Sequence, residues 1–198
     1  KRRKVLALVD YIPIEAPLNI ELTTAQKRHL ERKFEFPEGL LKKVGSDNVR
    51  NIEIMKKLLY SCQEIEKKIL FFSCSVKHSR FILALLEYHG ISAAHVDGKT
   101  SRNRREDSIR RFKDGEIQVL CNYGVLTTGF DAPNTDEVFI SRPTQSVVLY
   151  SQMVGRGLRG PAIGGTPRCR VVEVKDNITG FAPEMTRVYH WFEDFWDN

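Results

Sequence analysis

No stretch of this chain approaches the roughly twenty consecutive apolar residues that a membrane-spanning helix needs, and no signal-type segment precedes its first apolar run, so a cytoplasmic protein with no membrane partner is expected. Cysteine is scarce: Cys62, Cys74, Cys121 and Cys169 stand far apart with no Cys-x-x-Cys pair, which argues against zinc and against a disulfide framework. His78, His89 and His95 show no metal-ligand spacing, and no bound metal is expected. A phosphate cradle is missing too. Gly98-Lys99-Thr100 ends like a Walker A loop, but the glycine required five positions earlier is Ala93. Asp136-Glu137 comes before the apolar run Val138 to Ile140, whereas a magnesium-binding acidic pair closes such a run. The turn Ser73 to Ser79 has no glycine, which excludes a dinucleotide fingerprint. Together these absences argue against ATP hydrolysis by this chain alone.

What is present fits one core of ordinary size. The 198 residues are 41% hydrophobic and 28% charged, and the net charge of +6 favours a polyanionic partner. The chain starts Lys1-Arg-Arg-Lys4 rather than with Met and runs at once into Val5 to Val9, which reads like a piece of something larger. Residues 1–45 match no motif: a strand at Val5–Val9, breaks at Pro13 and Pro17, a short strand at Asn19–Leu22, and a helix from Thr24 to about Phe34 ended by Pro37, Gly39 and Gly45. They are assigned as a linker, an insertion or the tail of a preceding domain. From 46 to 182 strands and helices alternate. Val49, Ile52, Met55, Leu58 and Cys62 predict an amphipathic helix over 48–67, followed by the strand Ile69–Cys74 and a helix closed by Gly90. Further strands are predicted at Ser92–Val96, Ile117–Cys121, Val138–Ser141 and Arg170–Lys175, with helices after Ser101 and from Gln145 to Val154. This is an α/β pattern with a mostly parallel sheet covered on both faces. Residues 183–198, with Met185, Val188, Phe192 and Phe195 at helical spacing, form a C-terminal helix whose aromatics read better as a packed face than as a base-stacking platform.

Residues 152–159, Gln-Met-Val-Gly-Arg-Gly-Leu-Arg, carry the functional signal. Arg156 and Arg159 are three residues apart, close to one helical turn, so two guanidiniums can face the same way. Guanidinium forks match phosphate oxygens bidentately and keep their charge, and Gly155 and Gly157 thin the backbone beside them. The competing view is a solvated basic loop. A second segment, Gly124-Val-Leu-Thr-Thr-Gly-Phe-Asp-Ala-Pro133, follows the strand ending at Cys121, where ligands of open parallel sheets collect.

In this order, about twenty residues apart, the two segments resemble motifs V and VI of superfamily 2 helicases, over roughly residues 68–177. Gln152 resembles the branch of restriction-enzyme motor subunits and excision-repair helicases. The resemblance implies the second (C-terminal) RecA-like domain, of the P-loop NTPase type. Arg156 and Arg159 would then reach the γ-phosphate of an ATP held with Mg2+ by the missing first RecA-like domain of the same polypeptide. Gly129, Asp131 and Gln152 would line the nucleotide, Gly129 by close backbone approach and Asp131 by a ribose hydrogen bond. Gly124 and Thr128 depart from the acidic residues common in that branch. By the same resemblance Thr127, Ser73, Ser75, Lys99 and Arg102 would contact a nucleic-acid backbone, DNA rather than RNA. The ordinary alternatives are a turn role for Asp131, helix capping for the serines, a solvated face for the basic residues around Lys99 and Arg102, and a non-motor binding or scaffolding module for the whole.

Overall fold

The computed structural model describes residues 5–125 and 134–179. One six-stranded sheet organises them, in the order β1-β6-β5-β2-β4-β3, with every pairing parallel. The strands are β1 (Leu8–Glu21), β2 (Ile69–Phe72), β3 (Ala93–Asp97), β4 (Val119–Tyr123), β5 (Glu137–Ile140) and β6 (Arg168–Thr179). The central strands β2 and β5 are buried at every position, as a sheet covered on both faces requires. The helices are α1 (Thr24–Lys33), α2 (Glu38–Gly45), α3 (Asn48–Leu59), α4 (Val76–Tyr88), α5 (Arg102–Lys113) and α6 (Val147–Val154).

Alternate strand residues feed two cores. On one face Ile69, Phe71, Val119, Cys121 and Phe139 meet Ile54, Leu58, Ile82 and Leu86 of α3 and α4. On the other, Leu70, Phe72, Leu120, Val138 and Ile140 meet Phe112 of α5 and Tyr150, Met153 and Val154 of α6. A third cluster joins Leu30, Phe36, Leu40, Leu41 and Val44 of α1, α2 and their loop to Ile20, Ile178 and Cys74 near the carboxyl ends of the strands.

The described part of the first segment, residues 5–45, is joined to the third cluster and to the sheet. Residues 8–21 are its edge strand, in register with β6 over eleven positions and irregular between Glu15 and Asn19. Pro13 and Pro17 do not break the strand. An edge strand has one unpaired side, where the missing proline N–H costs no ladder bond. Thr23, rather than Thr24, caps α1: its hydroxyl accepts from the Gln26 amide while the Gln26 side chain accepts from the Thr23 amide. The helix α2 falls where Gly39 and Gly45 had predicted a break.

The helix expected over 48–67 ends at Leu59 and passes into a π turn, Tyr60–Glu64. Its buried face also differs. Val49 and Ile52 are exposed, while Arg50 and Asn51 point inward beside Ile54, Met55 and Leu58. An ion pair turns the face: Arg50 Nε lies 2.6 Å from Asp176, both side chains are almost fully buried, and Arg50 also donates to the Ser141 carbonyl. The C-terminal helix expected over 183–198 lies outside the described residues.

Candidate nucleotide and nucleic-acid sites

A parallel sheet has two chemically different ends, and the expected site residues divide between them. Each helix returns the chain from the carboxyl end of one strand to the amino end of the next. Since α6 follows β5, the segment after it must lie at the amino ends of β5 and β6. Gly157 shows this directly: a Cβ there would overlap the Cys169 sulfur and lie 2.7 Å from a Val138 methyl, each the second residue of its strand. Arg156 and Arg159 are thus at the end opposite the carboxyl tips of the strands, where the general rule for ligand position had pointed. The count of strand and helix order already contained this answer.

The arginine segment is held on several sides. Arg156 N–H donates to the Met153 carbonyl and Gly157 N–H to the Val154 carbonyl, extending the end of α6. Ala7 N–H donates to the Leu158 carbonyl and Gly160 N–H to the Val5 carbonyl, around an antiparallel bridge between Leu6 and Arg159. Gly165 lies so close to the Arg159 carbonyl that a side chain there would collide with it. Gly157 therefore serves close packing against β5 and β6, a stronger requirement than thinning the backbone for a phosphate. Both arginines and Gln152 are half-buried. Thr127, Gly129 and Asp131 lie outside the described residues.

At the carboxyl end, Ser75 caps α4, its hydroxyl accepting from the His78 amide at 3.1 Å, the ordinary role foreseen for it. Ser73 is buried, and its amide donates to the Asn122 carbonyl. The Ser73 hydroxyl and Asn122 Oδ1, both buried on neighbouring strand tips, have no hydrogen-bond partner. Asn122 begins the segment, Asn122 to Thr128, that the motif V resemblance turns toward a nucleic-acid backbone. It stands at the end of an apolar strand, a position that hydrophobic patterning passes over.

Beyond β3, Lys99 and Arg102 are exposed, with Arg102 paired to Glu106 at 2.8 Å. Asp97 shapes the loop that carries them. It accepts from the Lys99 amide and from the Thr100 amide and hydroxyl, and lies 3.1 Å from His95, whose other ring nitrogen is 2.7 Å from Ser79 of α4. Burial alone would raise the Asp97 pKa, but the hydrogen bonds from His95, Thr100 and Lys99 outweigh it and hold the carboxyl at about 2. Arg105 clasps the same loop through the Asp97 and Thr100 carbonyls. Past β5, Arg142 pairs with Glu35 at 2.9 Å and lies over the Tyr123 ring, while Thr144 donates to Glu35. This ties the α1–α2 loop to the carboxyl end.

Asp136 and Glu137 carry no metal-site geometry. Asp136 accepts from the Lys68 amide, and Glu137 is buried against Ser61 and Arg170. Among the described residues no group of three His, Cys, Asp or Glu side chains could hold a metal ion, and no helix is long and apolar enough to cross a membrane.

The family model for the helicase conserved C-terminal domain matches residues 50–160, just over half of the chain. Among curated proteins, the Saccharomyces cerevisiae protein IRC3, named as a candidate ATP-dependent helicase, is 39% identical over 110 residues, covering 55% of this chain and 16% of that protein. The ATP-dependent rRNA helicase rrp-3 of Neurospora crassa is 30% identical over 108 residues, 54% of this chain and 21% of that one. The chain thus spans only about a fifth or less of such relatives. Two solved structures share the fold at a TM-score of 0.57: the C-terminal part of the Fun30 ATPase domain (18% identity, 75% of this chain, 53% of that one) and a DEAD box protein from Methanococcus jannaschii (19% identity, 74% and 38%). With the matched family running from within α3 through β2 to β5, α4 to α6 and the arginine segment, the chain belongs to the helicase conserved C-terminal domain family and is the C-terminal RecA-like domain of a superfamily 2 helicase.

Proposed function

We propose that this domain supplies arginine fingers to an ATP bound on a first RecA-like domain of the same polypeptide, and grips a nucleic-acid backbone at its other end. The observation that carries the reading is the fixation of the Arg156–Arg159 segment by Gly157, by the bridge to Leu6 and by the tight approach of Gly165. Catalysis by charge stabilisation needs donors that do not reorganise as the charge develops. Two forked cations on a pinned backbone fit a triphosphate. Gln152, one turn back on α6, would hold the segment or couple it to nucleic-acid binding in this reading. Mg2+ is held by the first domain in this reading, and when bound it neutralises charge on the transferring phosphoryl group.

The carboxyl end supplies the grip. Exposed Lys99 and Arg102, with the buried, unpartnered Ser73 hydroxyl and Asn122 carbonyl, offer charge and hydrogen bonds to a sugar-phosphate chain, and Thr127 belongs with them. ATP-driven closure of the two domains would tighten this grip and hydrolysis would release it. DNA is the strand in this reading, from the Gln152 wording of the motif. Competition between single-stranded DNA and RNA decides that point.

The test is steady-state hydrolysis by the full-length protein. Arg156→Ala and Arg159→Ala are each expected to lower nucleic-acid-stimulated turnover by about two decades or more while nucleotide binding persists. Unchanged turnover in both variants retires the finger role.

A further inference from the structure

Phe34 ends α1 in a conformation that few side chains accept. Its φ of 53° and ψ of 23° are left-handed, and its N–H donates to the Leu30 carbonyl at 2.7 Å, closing the helix. Glycine or asparagine usually fills such a place, because a Cβ there crowds the neighbouring carbonyl oxygen. The described residues include three non-glycine residues of positive φ, and Phe34 is the one aromatic among them. Packing does not explain the choice either. Phe34 is 57% exposed and belongs to none of the three apolar clusters, although Phe36, two residues on, is buried in the third. A lone exposed phenylalanine is ordinary, and so is a strained residue held by its surroundings. One that is both strained and exposed is favoured by neither backbone nor core.

The loop that carries it is fixed. Glu35 accepts from Arg142 at 2.9 Å and from Thr144 at 2.7 Å, just past β5, and Arg142 lies over the ring of Tyr123, the last residue of β4. Phe34, the neighbour of Glu35, is therefore held beside the carboxyl tips of β4 and β5. Arg28, Arg32 and Lys33 of α1 are exposed just before it, against one exposed acid, Glu31.

We infer that Phe34 is a stacking platform for an unpaired base of the strand gripped at this end of the sheet. The inference rests on that grip as proposed above. β3, which leads to Lys99 and Arg102, is three strand positions from β5, about 14 Å away at the usual spacing. A single strand a few nucleotides long covers that span, with phosphates at Lys99 and Arg102 on one side and at Arg32 and Lys33 on the other. Every base has a π face, so an aromatic ring holds a base without selecting its identity. Bases in a duplex are stacked on one another, so the platform takes single-stranded or locally opened nucleic acid.

The test measures binding of the 198-residue chain, by fluorescence anisotropy at low salt, to a single-stranded oligonucleotide and to a sugar-phosphate strand of the same length without bases. Phe34→Gly removes the ring and relieves the left-handed strain together. It is expected to raise Tm by about 2–4 °C, and to weaken binding to the intact strand about tenfold. Its binding to the strand without bases should equal that of wild type. Phe34→Trp should keep the affinity, and Phe34→Leu should lose it as glycine does, because leucine is apolar without a π face. Wild-type affinity in Phe34→Gly, or full affinity in Phe34→Leu, overturns the platform and leaves the backbone grip standing. An equal loss on both strands, or a lowered Tm, assigns Phe34 to the shape of the loop and overturns it as well. No binding of wild type to either strand overturns the grip and the platform together.

Discussion

His78 makes the stability of this domain acid-sensitive in a range where few other groups change charge. Its imidazole is buried and its pKa is lowered from 6.5 to about 3, by burial first and by the Arg50 charge second. The folded state therefore keeps His78 neutral while the unfolded chain binds a proton below pH 6.5. A depressed basic group contributes stability that is complete above the unfolded value and is lost as pH falls toward the folded one. Between pH 7 and pH 5 the loss covers about 1.5 pH units, or about 2 kcal/mol at 1.36 kcal/mol per unit. Glu137, Glu173 and Asp176 have the opposite sign: burial raises their pKa values against the partners that lower them, so the folded state takes up protons more readily than the unfolded chain. The difference between wild type and His78→Gln removes those shared contributions, since the glutamine amide oxygen can still accept the Cys74 N–H. Urea unfolding at pH 5, 6 and 7, followed by circular dichroism, should show wild type losing about 2 kcal/mol more than the variant between pH 7 and 5. A gap between the two proteins that does not change with pH refutes the neutral buried imidazole.

Three further outcomes follow from the same geometry. Gly157→Ala should cost about 1–3 kcal/mol, because a methyl must displace Cys169 and Val138, and calorimetry should show a lowered Tm; an unchanged Tm contradicts the close packing. Asp176→Ala should cost about 3–5 kcal/mol by leaving the Arg50 guanidinium buried without its partner, whereas Glu53→Ala, which breaks the exposed pair with Lys56, should cost under about 1 kcal/mol in the same denaturant titration. Lys99→Ala and Arg102→Ala should each reduce the slope of log affinity against log salt for a single strand by about 0.7, and a slope unchanged in both variants removes them from the backbone contact.

Much of the sheet could be read from the chain before its structure was known, because a strand buried on both faces is written as an unbroken apolar run. Ile69 to Phe72 and Val138 to Ile140 are of that kind. β1 could not be read this way, since an edge strand carries prolines and half-exposed residues that look like a break. The buried face of α3 was misread for a different reason. Arg50 is polar by composition and becomes interior only because Asp176, 126 positions away in sequence, meets it at the end of β6. The arginine segment was visible as a motif, but its end of the sheet depended on counting β5, α6 and β6 in order.

The central claim is that the Arg156–Arg159 segment completes a nucleotide site belonging to another domain, and adding the domain in trans tests it most directly. The first RecA-like domain is expressed alone, its ATP hydrolysis is measured with single-stranded nucleic acid present, and this chain is then titrated in. The account predicts a saturable rise in turnover with wild-type chain and none with Arg156→Ala, Arg159→Ala chain that binds nucleic acid equally well. A rise of the same size with the doubly substituted chain would contradict it.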